Sequence, residues 1–145
     1  MNIKIEKMTI SDLKNIKDIL ITDFDDFWNY NTLKEELQNE NSHYIVAKSP
    51  DDEIVGFAGI KIILDQSDVM NIVVKKSFRN NGIGSLLLEE LISISNSFAT
   101  TSITLEVMEE NYSAIHLYEK FGFSKIGIRK NYYKNKNGIV MQKEL

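Results

Sequence analysis

Residues 68–97 constrain the fold more than any other stretch. The run DVMNIVVKK is rich in β-branched residues and reads as a strand. It passes through Ser77-Phe78-Arg79-Asn80-Asn81-Gly82-Ile83-Gly84 into a segment whose apolar positions, Ile83, Leu86, Leu87, Leu91 and Ile94, recur at helical spacing. A strand, a short glycine turn and a long amphipathic helix must then pack side by side. The first amides of a helix have no partner within it, so the turn points free N–H groups and the positive end of the helix dipole outward. Phosphate oxygens suit that place, and Gly82 and Gly84 allow close approach to the backbone. The same glycines also satisfy a plain tight turn, and Arg79 either contacts a phosphate or braces the turn.

Other phosphate codes fit these residues less well. A Walker loop needs Gly-Lys-Ser or Gly-Lys-Thr, which the chain lacks, and a dinucleotide fingerprint wants a third glycine at Leu87. The remaining reading is a phosphate-bearing cosubstrate held by backbone atoms at the carboxyl end of a strand, where open α/β sheets place ligands.

The rest of the chain supplies strands and helices around this unit. NIKIEKM alternates as a strand, and Thr9 with Asp12 predicts a capping box opening a helix over 12–20. Thr32 with Glu35 predicts a second helix over 32–40. Strands are expected at 43–48, 53–64, 102–108, 123–130 and 138–145. A helix at 112–121 is capped by Asn111 and terminated by Gly122 in a left-handed conformation. The order predicts one domain over 1–145, an α/β fold with a mixed sheet and helices on both faces.

Composition narrows the chemistry. At 145 residues the chain is long enough for a real core, and with no cysteine it has neither disulfides nor a thiol nucleophile. His43 and His116 sit in no recognisable ligand group, so no metal is expected. No stretch resembles a signal peptide or a membrane span, which makes the cytoplasm the expected compartment. The net charge of −4 conceals an acidic front and a basic back: residues 1–70 carry 7 basic and 14 acidic side chains, residues 71–145 carry 10 and 7. Neither direct nucleic-acid binding nor membrane binding is expected from this balance.

The motif Arg79-Asn80-Asn81-Gly82-Ile83-Gly84, followed by Ile103-Thr104-Leu105-Glu106-Val107, Asn111, Leu117-Tyr118-Glu119-Lys120, Gly122-Phe123 and Arg129-Lys130-Asn131-Tyr132-Tyr133, resembles the GCN5-related N-acetyltransferase (GNAT) family. That resemblance implies a mostly antiparallel sheet of about six or seven strands. It also implies acetyl-CoA as cosubstrate, with its pyrophosphate on the amides of Arg79, Asn80, Asn81, Gly82, Ile83 and Gly84 and with Ser85 also among the cofactor-binding residues. The pantetheine arm would run past Ile72, Val73 and Val74. Asn111 would lie near that arm and Tyr118 near the thioester sulfur, although a helix cap and an ordinary core aromatic account for the same two residues.

Glu106 breaks the apolar strand Ile103, Leu105, Val107 on the opposite alternation, which makes it either a solvent-facing residue or the general base, and the resemblance favours the base. Tyr118 would be the general acid. Trp28, Tyr132 and Tyr133 are the leading candidates to contact the acceptor, with Phe24, Phe27 and Tyr30 beside them. Within the family the pattern is most similar to members that acetylate the terminal alanine of ribosomal protein S18, which implies a protein N-terminus as partner. An α-amine, with a reference pKa of about 8, sheds its proton more readily than lysine at about 10.4. Two other readings stay open: an acetyltransferase for a small amine or polyamine, and a noncatalytic acyl-CoA-binding module. Oligomeric state, monomer or weak dimer, is not decided by these residues.

Overall fold

The computed structural model describes residues 2–25, 28–133 and 135–145, with Tyr132 and Tyr133 as backbone only. Seven strands form one sheet in the order β1-β2-β3-β4-β5-β7-β6. They are β1 (Lys4–Lys7), β2 (Ser42–Lys48), β3 (Ile54–Ile63), β4 (Gln66–Val74), β5 (Ser102–Met108), β6 (Ser124–Tyr133) and β7 (Lys136–Glu144). Every neighbouring pair is antiparallel except β4–β5. The mixed, mostly antiparallel sheet expected from the sequence is the one observed.

Helices cover both faces. On one, α1 (Ile10–Ile16) and α2 (Tyr30–Gln38) pack over Val46, Phe57 and Val73. On the other, α3 (Ile83–Ser97) covers Val55, Ala58 and Ile60, and α4 (Tyr112–Lys120) lies with Ile103, Leu105 and Val107. Alternation along each strand feeds both layers, so the central strands read as nearly continuous apolar runs.

Local chemistry sets the helix ends. The Thr9–Asp12 capping box is present: Thr9 N–H donates to Asp12 Oδ2 at 2.8 Å and Asp12 N–H to Thr9 Oγ1 at 3.1 Å. The first helix is shorter than expected, giving way at Lys17 to a tight 3-10 turn and then a wide π turn over Leu20–Phe24. The second helix starts earlier than the Thr32 signal suggests. Asn29 is the cap, its Oδ1 accepting from Thr32 N–H at 2.8 Å, so Thr32 is an amide donor in the first turn. β6 also outruns its expected end at residue 130 and takes Asn131, Tyr132 and Tyr133 into the strand backbone, where a late loop was expected.

Gly56 sets the height of α3 above the sheet. A Cβ there would meet Val73 O at 3.0 Å, Leu87 Cδ1 at 3.1 Å and Ile83 Cγ2 at 3.3 Å, so only a bare backbone lets the helix come this close. The contact fixes the first turn of α3 against the end of β4. Gly56→Ala is expected to lower stability by about 1–3 kcal/mol through overpacking, seen as a lower urea midpoint at unchanged slope. An unaltered midpoint would mean that α3 is held elsewhere.

Candidate functional site

The site begins where the sheet fails to stay paired. β4 and β5 run parallel through only three residue pairs, Gln66–Ser102, Ser67–Ile103 and Asp68–Thr104, and then separate. A bulge in β4 explains the separation. Against β3, Ile60 pairs with Val69 and Gly59 with Asn71, leaving Met70 as an extra residue that bends the strand. Beyond the split lies a cleft of about 1030 Å³ whose walls are β4 from Asp68 to Val73 and β5 from Thr104 to Met108. Its volume lies at the upper end of small-ligand sites, and the facing strand edges leave backbone N–H and C=O groups available to an extended ligand.

Strand alternation assigns the two mouths of the cleft. Ile103, Leu105 and Val107 pack in the layer shared with α4, so Thr104, Glu106 and Met108 point to the opposite, α1–α2 side. On β4, Val69 and Ile72 lie with α3, whereas Met70 and Val73 lie with α1 and α2. Glu106 therefore opens toward the face that also carries Asp25 and Trp28, and Tyr118 reaches the cleft from α4 behind the sheet.

Glu106 is one-quarter exposed and pairs with Arg129 of β6, whose Nη1 lies 3.1 Å from Oε1 and 3.4 Å from Oε2. Arg129 reaches it across β7, since Arg129 pairs with Gly138 and Glu106 with Val140 in register. The ring of Tyr118 tilts against Phe123 with centroids 6.0 Å apart. Burial pushes the Tyr118 hydroxyl up to about 12 because the phenolate loses solvation. Its O–H is a donor throughout the neutral range.

The glycine turn is built as its spacing implies. Asn80 and Gly82 both adopt positive φ, +65° and +78°, and a Cβ on Gly82 would meet nothing within 4 Å. Gly82 is therefore needed for its backbone angle, and the space beside it is open. It offers no side-chain cap, and Leu86 N–H is the first amide to bond back, to Gly82 O at 3.3 Å. Among the described residues this leaves the amides of Ile83, Gly84 and Ser85 without acceptors. Pyrophosphate oxygens fit such a set of donors. The Ile83 side chain is core, so only its backbone is available to a ligand.

Arg79 braces this turn. Its Nε donates to Val74 O at 3.1 Å and its Nη2 to Phe24 O at 3.0 Å, tying the end of β4 to the end of the π turn. Asn81 Nδ2 donates to Phe78 O at 3.0 Å within the turn. Asn111 caps α4 through Ala114 N–H at 3.2 Å and also lines the cleft, so its role as a cap does not remove it from the cleft wall.

Ile72, Val73, Glu106, Asn111, Tyr118 and Trp28 come together around one cleft. Phe24 does not join them: it is fully buried against Phe57, with centroids 5.6 Å apart. Tyr30 packs on the same core with Lys17 Nζ 4.7 Å from its ring centroid. The expectations for Phe27 and for the Tyr132 and Tyr133 side chains lie outside the described residues. Asp68, Asn71 and Arg129 were missed by sequence reasoning. Asp68 and Asn71 stand three apart in a strand that should alternate by two, and that odd spacing is the trace a bulge leaves in a sequence.

Comparison with known proteins agrees with this geometry. A family model described as Acetyltransferase (GNAT) family matches residues 13–123. A [ribosomal protein bS18]-alanine N-acetyltransferase of Haemophilus influenzae is 38% identical over 112 residues, covering 77% of this chain and 74% of the relative. A Salmonella typhimurium protein of the same description is 37% identical over 101 residues, covering 69% and 68%. The crystal structure of the ribosomal-protein-S18-alanine N-acetyltransferase from Escherichia coli superposes with a TM-score of 0.89 at 27% identity, covering 99% of this chain and 94% of that one. With a match that spans most of its length and a sheet that splits between β4 and β5, this chain belongs to the GNAT acetyltransferase family.

Proposed function

We propose that this chain is a cytoplasmic, acetyl-CoA-dependent N-acetyltransferase, folded as one domain over residues 1–145, that modifies the N-terminal alanine of ribosomal protein S18. The observation that carries the reading is the placement of a carboxylate and a phenol on opposite sides of one split in the sheet. An amine entering from the α1–α2 side meets Glu106 first, and a thioester entering from the α3–α4 side brings its sulfur toward Tyr118. The relatives' substrate, a ribosomal protein terminus, is an α-amine of the kind that needs little help to lose its proton.

Acetyl-CoA, when bound, supplies the acetyl group as a thioester. The amides of Ile83, Gly84 and Ser85 hold its pyrophosphate, and the free edges of β4 and β5 take the amides of its arm. Glu106 accepts the proton that the amine nitrogen gives up as its bond to the acetyl carbon forms, directly or through a water. Tyr118 donates its hydroxyl proton to the sulfur as the carbon–sulfur bond breaks, and recovers one from solvent. Arg129 fixes the Glu106 carboxylate in orientation. Trp28 forms part of the acceptor wall.

The decisive assay follows CoA release and the mass-resolved site of acetylation on S18, on an alanine-initiated peptide and on spermidine. One acetyl group on the α-amine is the expected product; acetylation confined to lysine side chains or spermidine would overturn the subtype, and tight CoA binding without turnover would overturn the enzyme. Glu106→Gln and Tyr118→Phe are each expected to lower kcat by about 10²–10⁴, the usual share of a positioned acid or base, with acetyl-CoA KM changed only a few-fold.

Tyr118 also has a spectroscopic signature. Burial disfavours its phenolate, so the tyrosinate absorbance missing from Tyr118→Phe should develop near pH 12 instead of at the ordinary value of about 10. A difference spectrum that rises near 10 would place the hydroxyl in water and remove it from the proposed role.

A further inference from the structure

The α1–α2 mouth of the cleft holds a second carboxylate. Asp68 is the last β4 residue paired with β5, opposite Thr104, and parallel partners in register share a face. Glu106 is two residues beyond Thr104 on that face, so the two carboxylates flank the point where the strands separate. Their electrostatic environments differ. Glu106 is paired with Arg129, whereas Asp68 has no hydrogen bond or ion pair among the described residues. The Asp68 carboxyl is held above its ordinary value by partial burial and, secondarily, by the charge on Glu106. Asp68 and Glu106 are two like charges facing one cleft, and among the described residues the nearby cations are engaged elsewhere, Arg129 with Glu106 and Lys136, which also lines the cleft, with Glu110 at 2.7 Å.

Asn71 adds an observation independent of charge. Val73 packs toward α1 and α2, and alternation puts Asn71 on the same side, where its Oδ1 is buried without a donor. An oxygen in that state calls for an N–H from outside the described residues. At neutral pH an α-amine is mostly an ammonium, with three N–H donors and a positive charge. It meets both deficits at once.

We propose that Asp68 is a specificity-determining residue for the acceptor: with Glu106 it seats the incoming amine as its ammonium form, before Glu106 takes the proton. This rests on the acetyltransferase reading above. The seat selects cationic amines at the α1–α2 mouth and leaves acetyl-CoA, which enters from the other face, untouched.

Steady-state kinetics on Asp68→Asn and Asp68→Glu test it, with an alanine-initiated peptide and spermidine as acceptors. Asp68→Asn is expected to raise the acceptor KM about tenfold, with a smaller change in kcat and none in acetyl-CoA KM, and Asp68→Glu to recover most of the loss. Raising ionic strength should weaken acceptor binding by the wild type more steeply than by Asp68→Asn, which keeps only the Glu106 charge at the seat. An unchanged acceptor KM, an equal rise in acetyl-CoA KM, or a fall confined to kcat overturns the proposal. If the wild type acetylates spermidine and not the peptide, the N-terminal reading fails while the Asp68 comparison is decided on spermidine; no turnover of either amine overturns both.

Discussion

The short parallel contact between β4 and β5 is the constraint on which the site depends. Three residue pairs hold the two halves of the sheet together, and the extra residue at Met70 then turns β4 away. Had the pairing continued, the edge groups of both strands would have satisfied each other and the cleft would not exist. The split leaves them available to a ligand while the apolar layers on either side keep the strands from collapsing together. Gly56 matters for the same reason: the close seat of α3 pins the glycine turn at the end of the diverging strand.

This opening also draws its lining side chains from both faces of the sheet. A β-strand sends successive side chains to opposite faces, so one strand can bury Leu105 and Val107 behind the sheet while presenting Glu106 in front. Tyr118 arrives from the rear on α4. The cleft therefore has a carboxylate on one face of the sheet and a phenol on the other. Arg79 ties the end of β4 to the end of the π turn, because its guanidinium donates to both Val74 O and Phe24 O. The charged residue of the glycine turn serves here as a brace.

Several elements were legible in the sequence because their causes are local. The capping box at Thr9, the Asn111 cap, the left-handed Gly122 and the run from β4 through the glycine turn into α3 all follow from residues within a few positions of one another. The Thr32 signal failed for a reason of the same kind, since Asn29, three residues earlier, caps the helix by accepting from Thr32 N–H and so takes Thr32 into the first turn. The strand β6 was underestimated because its end is irregular: Asn131 takes a positive φ and its N–H donates to Asn137 Oδ1 at 3.2 Å, and pairing with β7 resumes only at Tyr133, opposite Lys136.

The sequence by itself determined the family pattern, the alternation that sets Glu106 apart from its apolar neighbours and the backbone freedom of the turn at Gly82, since each is written in adjacent residues. Only the tertiary structure decided that β4 parts from β5, that Arg79 faces carbonyls, that Arg129 reaches Glu106 from 23 positions away and that Asp68 stands at the same mouth. Those are relations between strands brought together by packing, and a carboxylate's chemistry depends on the charges around it more than on its neighbours along the chain.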